Sequence, residues 1–138
     1  VLCKRPRDAE GYMGRLRCVQ EISAVTAACM MVKTSVFKAV GGFDEELKVA
    51  FNDIDLCMKV RKYGVKIVFT PYAELYHYES KSRGMEDTPE KQLRFSREVN
   101  CFRRKWEREL LKGDPYYNPN LTLNNTDCSL RKQEKNGD

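Results

Sequence analysis

Residues 40–61 have the sequence VGGFDEELKVAFNDIDLCMKVR, and we expect the rest of the chain to be arranged around this stretch. It opens with the pair Gly41 and Gly42, which lets the backbone adopt positive φ angles or approach another molecule closely. It ends in a predicted helix that starts at Asn52 or Asp53. Between the two lies a loop that contains several carboxylates. The stretch therefore predicts a tight turn, an acidic loop and a helix N-terminus close together in the chain.

The length and composition of the chain are those of one globular domain. With 138 residues it can bury a core of its own, and its 41% hydrophobic and 33% charged residues are not typical of a disordered protein. No apolar run approaches the roughly 20 residues that a membrane-spanning helix needs. The sequence has no signal-peptide pattern, and because it starts without a methionine we expect a piece of a longer chain.

Six cysteines are scattered along the chain, at positions 3, 18, 29, 57, 101 and 128. None of them forms a Cys-x-x-Cys pair, which argues against a zinc ribbon and against a thioredoxin-like redox site. Cys29 and Cys57 lie within apolar or helical patterns, where a reduced cysteine packs as a small hydrophobic residue. We therefore expect a reducing, cytoplasmic location, with disulfide bonds as the less favoured alternative.

The formal net charge of +5 favours an anionic partner. Basic residues are concentrated near the N-terminus and between residues 91 and 112. A nucleotide phosphate, a lipid phosphate, an anionic membrane face and a nucleic acid all fit this charge. Aromatic residues do not alternate with the basic ones, as stacking platforms for bases would. For most of these charges a solvated helix face is the favoured explanation, so the charge alone does not identify a partner.

Hydrophobic periodicity predicts an α/β fold. The predicted elements are a buried strand over 19–32 that is broken near Thr26, a short helix from Thr34 or Ser35 to Val40, a helix from Asn52 or Asp53 to Tyr63, strands over 65–70 and 73–78, and a long amphipathic helix from Thr88 to Lys112. Gly41 then ends the first helix as its C′ residue. We expect residues 1–123 to form one unit, with a mobile loop over 79–88 and a docked segment over 114–121. We expect the polar tail 124–138 to be disordered.

Asp53 and Asp55 form an Asp-x-Asp pair at the predicted helix start. Mg²⁺ prefers carboxylate oxygens, but residues two apart on a helix point in different directions, so the pair is poorly arranged to share one ion. A structural explanation is that both carboxylates cap the helix and complement its dipole. A catalytic explanation is that a carboxylate whose charge the helix N-terminus stabilises acts as a general base toward an alcohol. The residues alone leave both explanations open.

His77 and Arg83 are further candidates for binding groups. His77, the single histidine, lies at the end of a predicted strand, and Arg83 lies in the loop that follows. A neutral imidazole there can complete the coordination of a metal ion. An arginine in a loop can bind a phosphate through two parallel hydrogen bonds. A packed histidine and a solvated arginine are the alternatives.

Five segments of the chain occur in the order and approximate spacing of one enzyme family. They are VTAACMMV (25–32), VGGFDE (40–45), FNDIDLC (51–57), RKYG (61–64) and PYAELYH (71–77). Together they resemble the C-terminal half of inverting family-two glycosyltransferases, especially the bacterial type that builds rhamnose-containing and O-antigen polysaccharides. The resemblance implies a GT-A fold, in which helices flank a mixed sheet and a long amphipathic helix follows at the C-terminus. It also implies a nucleotide-diphospho-sugar donor and a divalent cation, Mg²⁺ or Mn²⁺.

The resemblance assigns roles to the positions that match the family. Asp53 matches the catalytic base, and His77 matches a histidine that approaches the metal and the diphosphate. Gly41, Gly42 and Phe43 match the loop beside the donor sugar and the acceptor. We also predict substrate contacts for Asp44, Asn52, Asp55 and Arg83, beyond the roles that the match itself assigns. For Asp55 and Arg61 the match also suggests a structural role.

Two departures from the family pattern shape this prediction. Asn52 replaces a glutamate that is common in the family, and because an amide cannot act as a base, the catalytic role falls on Asp53. The N-terminal half of the family, with its nucleotide-binding strands and metal-binding Asp-x-Asp, is missing from the chain, so that half would hold most of the cation. We therefore predict a fragment that is inactive alone. The longer enzyme would use a nucleotide-sugar donor and a saccharide or lipid-linked acceptor.

Two other functions compete with this one. A basic module could bind nucleic acid or anionic lipid through the helix over 91–112, and such binding would depend steeply on salt. A non-catalytic relative could retain the fold without turnover. We favour the glycosyltransferase, with no nucleic-acid partner and a location in the cytoplasm that permits peripheral contact with the inner face of the membrane. An exposed sheet edge would also allow homo-oligomers to form.

Overall fold

The elements of the fold are three helices and a small sheet. A computed structural model of the chain describes residues 8–76, 88–124 and 128–131. In chain order the elements are β1 (Gln20–Glu21), α1 (Thr34–Ala39), α2 (Asn52–Lys62), β2 (Val68–Phe69) and α3 (Pro89–Leu111). Short 3-10 helices occupy Tyr12–Arg17 and Ala27–Cys29. The described part is therefore an α/β arrangement in which helix predominates.

The sheet consists of one antiparallel pair of strands. β1 pairs with β2 so that Gln20 lies opposite Phe69 and Glu21 opposite Val68. The N–H of Ile22 extends the pair by donating to the carbonyl of Ile67 at 3.0 Å. The predicted strand over 65–70 is thus confirmed in part. The predicted mixed sheet is wrong for the described residues, because their sheet has two strands and no parallel pair.

The predicted buried strand over 19–32 is confirmed only at Gln20–Glu21 and is wrong for the rest of the run. Only its second and third residues lie in β1, and a 3-10 helix occupies Ala27–Cys29. The hydroxyl of Thr26 accepts a hydrogen bond from the N–H of Ala28 at 3.3 Å and caps that 3-10 helix. Met31 is fully exposed. An apolar run forms a strand only where a neighbouring strand accepts its backbone hydrogen bonds, and β2 provides such a neighbour over a very short length.

The second predicted strand, over 73–78, is also wrong where it can be compared. Residues 73–76 are irregular and exposed, and residues 77 and 78 lie outside the described residues. The predicted loop over 79–88 lies outside them too, except for Thr88. Leu75 and Tyr76 are 73% and 80% exposed, so neither packs as a residue of a buried strand would. Periodicity alone therefore overstates the β content of this half of the chain.

All three helices are confirmed, although two of their caps differ from the prediction. α2 is preceded by Phe51 in the left-handed conformation, with φ at 64°, and Asn52 is already its first helical residue. The ring of Phe51 stacks on that of Phe102 at 5.0 Å between centroids, which stabilises this conformation. α1 is preceded by Lys33, so neither Thr34 nor Ser35 caps it.

The N-terminal cap of α3 agrees with its sequence pattern. The hydroxyl of Thr88 accepts a hydrogen bond from the N–H of Lys91 at 3.4 Å, and Pro89 is the first helical residue. α3 carries eleven charged side chains among its 23 residues. Accordingly, within the ranges that the structure describes, no helix is both long enough and apolar enough to cross a bilayer.

The core lies between α3 and the loop that leads into α2. Its buried side chains are Leu47, Phe102 and Trp106, and Phe51 and Met58 pack against them. These residues come from the acidic loop, α2 and α3, so the core fixes the N-terminus of α2 against the middle of α3. The stretch predicted to organise the chain is therefore packed directly on its longest helix.

The segment after α3 docks on the sheet, as predicted. The hydroxyl of Tyr116 donates to the carboxylate of Glu21 at 3.1 Å, and the guanidinium of Arg61 lies 5.7 Å from the centre of its ring. Farther along, Leu121 pairs with Leu130 in an antiparallel bridge. Residues 128–131 thus lie beside residue 121, and the disorder expected beyond residue 124 stays a prediction. Positions 125–127 and 132–138 lie outside the described residues.

The glycine pair ends α1 in a Schellman motif. The N–H of Gly41 donates to the carbonyl of Lys38 at 3.1 Å, and the N–H of Gly42 donates to that of Phe37 at 2.9 Å. Both glycines have positive φ angles, 78° and 63°. The prediction that Gly41 is the C′ residue is confirmed. The pair is therefore required by the backbone itself, independently of any ligand.

We expect Gly42→Ala to destabilise the chain more than Gly41→Ala. Either alanine costs about 1–2 kcal/mol for its left-handed conformation. At Gly42 the added Cβ would also lie 3.0 Å from two carbons of the Phe37 ring, whereas at Gly41 it would meet no described atom within 4 Å. Urea unfolding of the two variants measures the difference. Equal losses of stability would contradict the steric role of Phe37.

Candidate functional site

Asp53 lies in the first turn of α2, with both carboxylate oxygens held by backbone N–H groups. Its Oδ2 accepts from the N–H of Ala27 at 3.2 Å, and its Oδ1 accepts from the N–H of Ile54 at 2.8 Å. The side chain is partly exposed. The helix N-terminus favours negative charge at this position. Asp53 is therefore an oriented carboxylate that a solvent-borne ligand can reach.

The face of α2 that carries Asp53 packs against residues 25–27. Cys57, one turn farther along, lies with its Sγ 3.5 Å from the backbone nitrogen of Val25. Burial raises the pKa of the Cys57 thiol, and the nearby charge of Asp53 acts in the same direction. The segment that does not form the predicted strand therefore forms one wall beside Asp53.

Asp55 lies on another face of α2 and is completely buried. Its Oδ1 accepts a hydrogen bond from Trp106 Nε1 at 2.8 Å and lies 2.7 Å from Lys105 Nζ. Its Oδ2 lies 3.2 Å from Lys59 Nζ. Because protein groups surround both oxygens, Asp55 is placed to hold other residues in position. The substrate contact predicted for it would require this cluster to open.

The two lysines extend the contacts of Asp55 to the glycine loop. Lys59 donates through Nζ to the backbone carbonyl of Gly42, and Lys105 donates to Asp44 Oδ2. The hydrogen bond from Lys105 lowers the pKa of Asp44. Burial opposes the charge on Lys105, but its hydrogen bonds to the two carboxylates raise its pKa overall. A charged cluster of Asp44, Asp55, Lys59 and Lys105 thus joins the glycine loop to α2 and α3.

Asp53 and the glycine loop contact different faces of α2. Asp53 points toward residues 25–27, while Lys59 carries the contact to Gly42. Six residues along a helix correspond to a rotation of about 240°, so these two side chains leave the helix in different directions. The described contacts therefore do not bring the predicted base beside the glycine pair. His77 and Arg83 lie outside the described residues.

Phe43 and Asn52 complete the predicted set. The ring of Phe43 packs edge-to-face on that of Phe37 at 5.6 Å and leaves much of its surface exposed. The side-chain oxygen of Asn52 accepts a hydrogen bond from the N–H of Asp53 at 2.7 Å. The side-chain oxygen of Asn52 is thus engaged in a hydrogen bond with the backbone of the candidate base, Asp53, which follows it in the chain.

An open cavity of about 260 Å³ lies on the side of α2 that faces the glycine loop. Its lining residues are Val40, Lys59, Lys62 and Tyr63. Asp53 is not among them. This cavity is therefore separate from the carboxylate, and the two features do not form one pocket in the described part of the chain.

The described residues provide no set of ligands for a metal ion. Nowhere in residues 8–76, 88–124 and 128–131 do three or more histidine, cysteine, aspartate or glutamate side chains gather as a metal site requires. The oxygens of Asp55 face Trp106 and two lysines, and those of Asp53 face backbone N–H groups. These partners do not suit the divalent cation that the resemblance implies, and we derive no step through a metal.

Sequence reasoning missed the groups that support the site from α3. Lys105 and Trp106 contact Asp55 across about 50 positions of the chain, and no local pattern marks such a pair. Glu98, also buried, accepts a hydrogen bond from the N–H of Ala50 at 2.7 Å and fixes the loop before α2. The pair of Asp55 and Lys59 did carry a signal, since oppositely charged residues four apart face each other on a helix.

Comparisons with known proteins identify relatives of this chain. It is 56% identical to y4gI of Sinorhizobium fredii over 126 residues, which cover 91% of the chain and 14% of that protein. It is 39% identical over 115 residues to the O-antigen biosynthesis protein RfbC of Myxococcus xanthus, covering 83% of the chain and 9% of RfbC. The chain matches no family model and no solved structure.

The name of a third relative describes a rhamnosyltransferase. The chain is 36% identical over 62 residues to the N-acetylglucosaminyl-diphospho-decaprenol L-rhamnosyltransferase of Mycobacterium tuberculosis, covering 45% of the chain and 20% of that enzyme. The chain thus spans a fifth or less of the length of each of these relatives. It is related to proteins named for O-antigen biosynthesis and for rhamnosyl transfer.

Proposed function

We propose that this chain is the acceptor-side part of a glycosyltransferase with a GT-A fold that acts in cell-surface polysaccharide synthesis. The enzyme transfers a sugar from a nucleotide-diphospho-sugar to a hydroxyl of a saccharide or lipid-linked acceptor, with inversion. The observation that carries the proposal is the oriented, partly exposed carboxylate of Asp53 at the N-terminus of α2. The similarity to RfbC and to the rhamnosyltransferase supports the reaction class.

In this proposal Asp53 acts as the general base. Its carboxylate takes the proton of the acceptor hydroxyl while that oxygen attacks the anomeric carbon of the donor sugar. The bond from the anomeric carbon to the diphosphate breaks on the opposite side, so the nucleoside diphosphate leaves and the configuration inverts. The N–H groups of Ala27 and Ile54 hold the carboxylate in one orientation. No other charged side chain is needed for this proton transfer.

The charged cluster around Asp55 acts as the support of the site. It holds the backbone of Gly42 and the carboxylate of Asp44 against α2 and α3. Binding groups are effective when a rigid surrounding structure fixes their positions. The family resemblance alone implies that the glycine loop contacts the donor sugar or the acceptor, because in the described residues this loop and Asp53 contact different faces of α2. The resemblance likewise implies that His77 approaches the diphosphate, and Arg83 is proposed to bind a phosphate as a loop arginine.

The stereochemistry of the product tests this function. In the intact enzyme we expect the transferred sugar to have the anomeric configuration opposite to that of the donor, because the attack is a single displacement. Proton NMR of the purified glycoside measures the configuration. A product with the donor's configuration would refute the inverting mechanism.

The isolated chain serves as the control for that experiment. We expect residues 1–138 alone to release no nucleoside diphosphate from the same donor, because the donor-binding half is supplied by other residues of the enzyme. Turnover by the isolated chain would contradict the proposed division of the site.

A further inference from the structure

The side of α3 that faces away from the core forms a stripe of arginines and leucines. The core side carries Glu98, Phe102 and Trp106, all of them buried. On the opposite side, residues three, four or seven positions apart align. We call this alignment the outer stripe, and its members are Leu93, Arg97, Asn100, Arg104, Glu107, Arg108 and Leu111. Every member is exposed.

The outer stripe combines positive charge with apolar ends. It contains three arginines and one acidic residue, Glu107, so its net charge is positive. Leu93 is 55% exposed and Leu111 is 83% exposed, so both ends present apolar surface to solvent. From Leu93 to Leu111 the helix rises about 27 Å. The backbone of α3 is kinked at Trp106, with φ at −116° and ψ at 18°. The stripe is therefore a long surface that bends between Arg104 and Arg108, with mainly basic residues between two leucines.

We propose that the outer stripe binds the surface of a membrane that contains anionic lipids. α3 lies parallel to the bilayer, Arg97, Arg104 and Arg108 contact lipid phosphates, and the two leucines enter the boundary between headgroups and acyl chains. A helix with one basic face and leucines at the contact is suited to this position. The argument rests on α3 alone and does not depend on the role of Asp53.

A lipid surface fits the outer stripe better than a nucleic acid does. The arginines are complementary in charge to either partner. The exposed leucines gain free energy only where apolar surface receives them, which a lipid boundary provides and a phosphate backbone does not. The stripe has no aromatic side chain on which a base could stack.

Vesicle sedimentation of the 138-residue chain tests the proposal. We expect the chain to bind vesicles of phosphatidylcholine mixed with phosphatidylglycerol and to bind pure phosphatidylcholine vesicles far more weakly. Replacement of Arg97, Arg104 and Arg108 by glutamine lowers the partition coefficient on the order of 100-fold, since each arginine near an anionic surface contributes about fivefold. Replacing Leu93 and Leu111 by alanine as well lowers the partition coefficient further. We expect this additional loss at every salt concentration, because it comes from apolar contact rather than from charge.

A matched control replaces three exposed lysines that lie outside α3. Lys33, Lys38 and Lys48 are exposed, and their replacement by glutamine removes the same net charge. We expect this variant to bind vesicles nearly as well as the original chain. A loss as large as that of the arginine variant would refute a specific role for the outer stripe.

A DNA-binding measurement separates the two kinds of partner. We expect a duplex of mixed sequence to compete poorly with the anionic vesicles. Binding to the duplex that depends on the three arginines, is unaffected by the leucine replacements and exceeds binding to vesicles would overturn the proposal and identify a nucleic-acid surface.

Discussion

Replacing Asp53 by asparagine lowers the turnover of the intact glycosyltransferase by about 100- to 10,000-fold, the range that general-base catalysis contributes. Asparagine has nearly the same shape and its side-chain oxygen can still accept the hydrogen bond from Ala27 or from Ile54. It cannot accept the proton of the acceptor hydroxyl. The donor makes its contacts elsewhere, so we expect its dissociation constant to change little. Initial rates with a labelled nucleotide-sugar, together with donor titration by calorimetry, measure the two quantities.

The matched control for this experiment is Glu45→Gln. Glu45 is an exposed carboxylate in the same stretch of sequence, so its replacement changes the charge of the region equally. We expect that variant to retain the original turnover. If Asp53→Asn also retained it, Asp53 would not be the base. If both variants lost it together, the effect would be one of local charge rather than of proton transfer.

The helices were predictable from sequence because their signals are local. In α3, Phe95, Phe102 and Trp106 recur at helical spacing, and Thr88 with Pro89 marks the start. The stop of α1 at the glycine pair follows from the conformation that only glycine adopts readily. In each case the deciding residues lie within one or two turns of the feature that they determine.

The strands were poorly predicted because their hydrogen-bond partners are distant in the chain. The run over 19–32 has the composition of a buried strand, but only β2 pairs with it, and it does so at two positions. The rest of the run has no neighbouring strand in the described residues and is irregular apart from the 3-10 helix at Ala27–Cys29. The composition of a segment indicates which secondary structures it can form, whereas the presence of a neighbouring strand determines whether it forms a strand.

In the candidate site too, features with a local sequence signal were predicted and features that depend on distant residues were not. The position of Asp53 in the first turn of α2 followed from the local pattern, while its contact with Ala27 did not. Asp55 was assigned to the substrate because it lies in the motif, with a structural role as the alternative. Its burial against Lys105 and Trp106 could not be inferred from sequence, because these two partners lie about 50 positions away in the chain.

A replacement in the charged cluster is expected to have a large effect on the stability of the fold. We expect Asp55→Asn to reduce the free energy of unfolding by about 3–5 kcal/mol, the usual cost when one partner of a buried ion pair is removed. Asparagine keeps an oxygen for Trp106 Nε1 but leaves Lys59 and Lys105 without their buried counter-charge. Natural domains are stable by only about 5–15 kcal/mol, so the loss is severe. Urea unfolding followed by circular dichroism measures it.

A double-mutant cycle separates the ion pair from a general weakness of the fold. Lys105→Met removes the partly exposed positive charge that faces Asp55, so the variant with both Asp55→Asn and Lys105→Met should lose less stability than the sum of the single changes, by about 0.5–3 kcal/mol. Asp53→Asn is the matched control, because the same chemical change at a partly exposed position should cost under about 1 kcal/mol. Additive effects in the cycle, or equal losses at Asp53 and Asp55, would contradict the role of the cluster. In that case the glycine loop would depend on its own turn geometry for its position, and the support that we assign to α3 would have to be withdrawn.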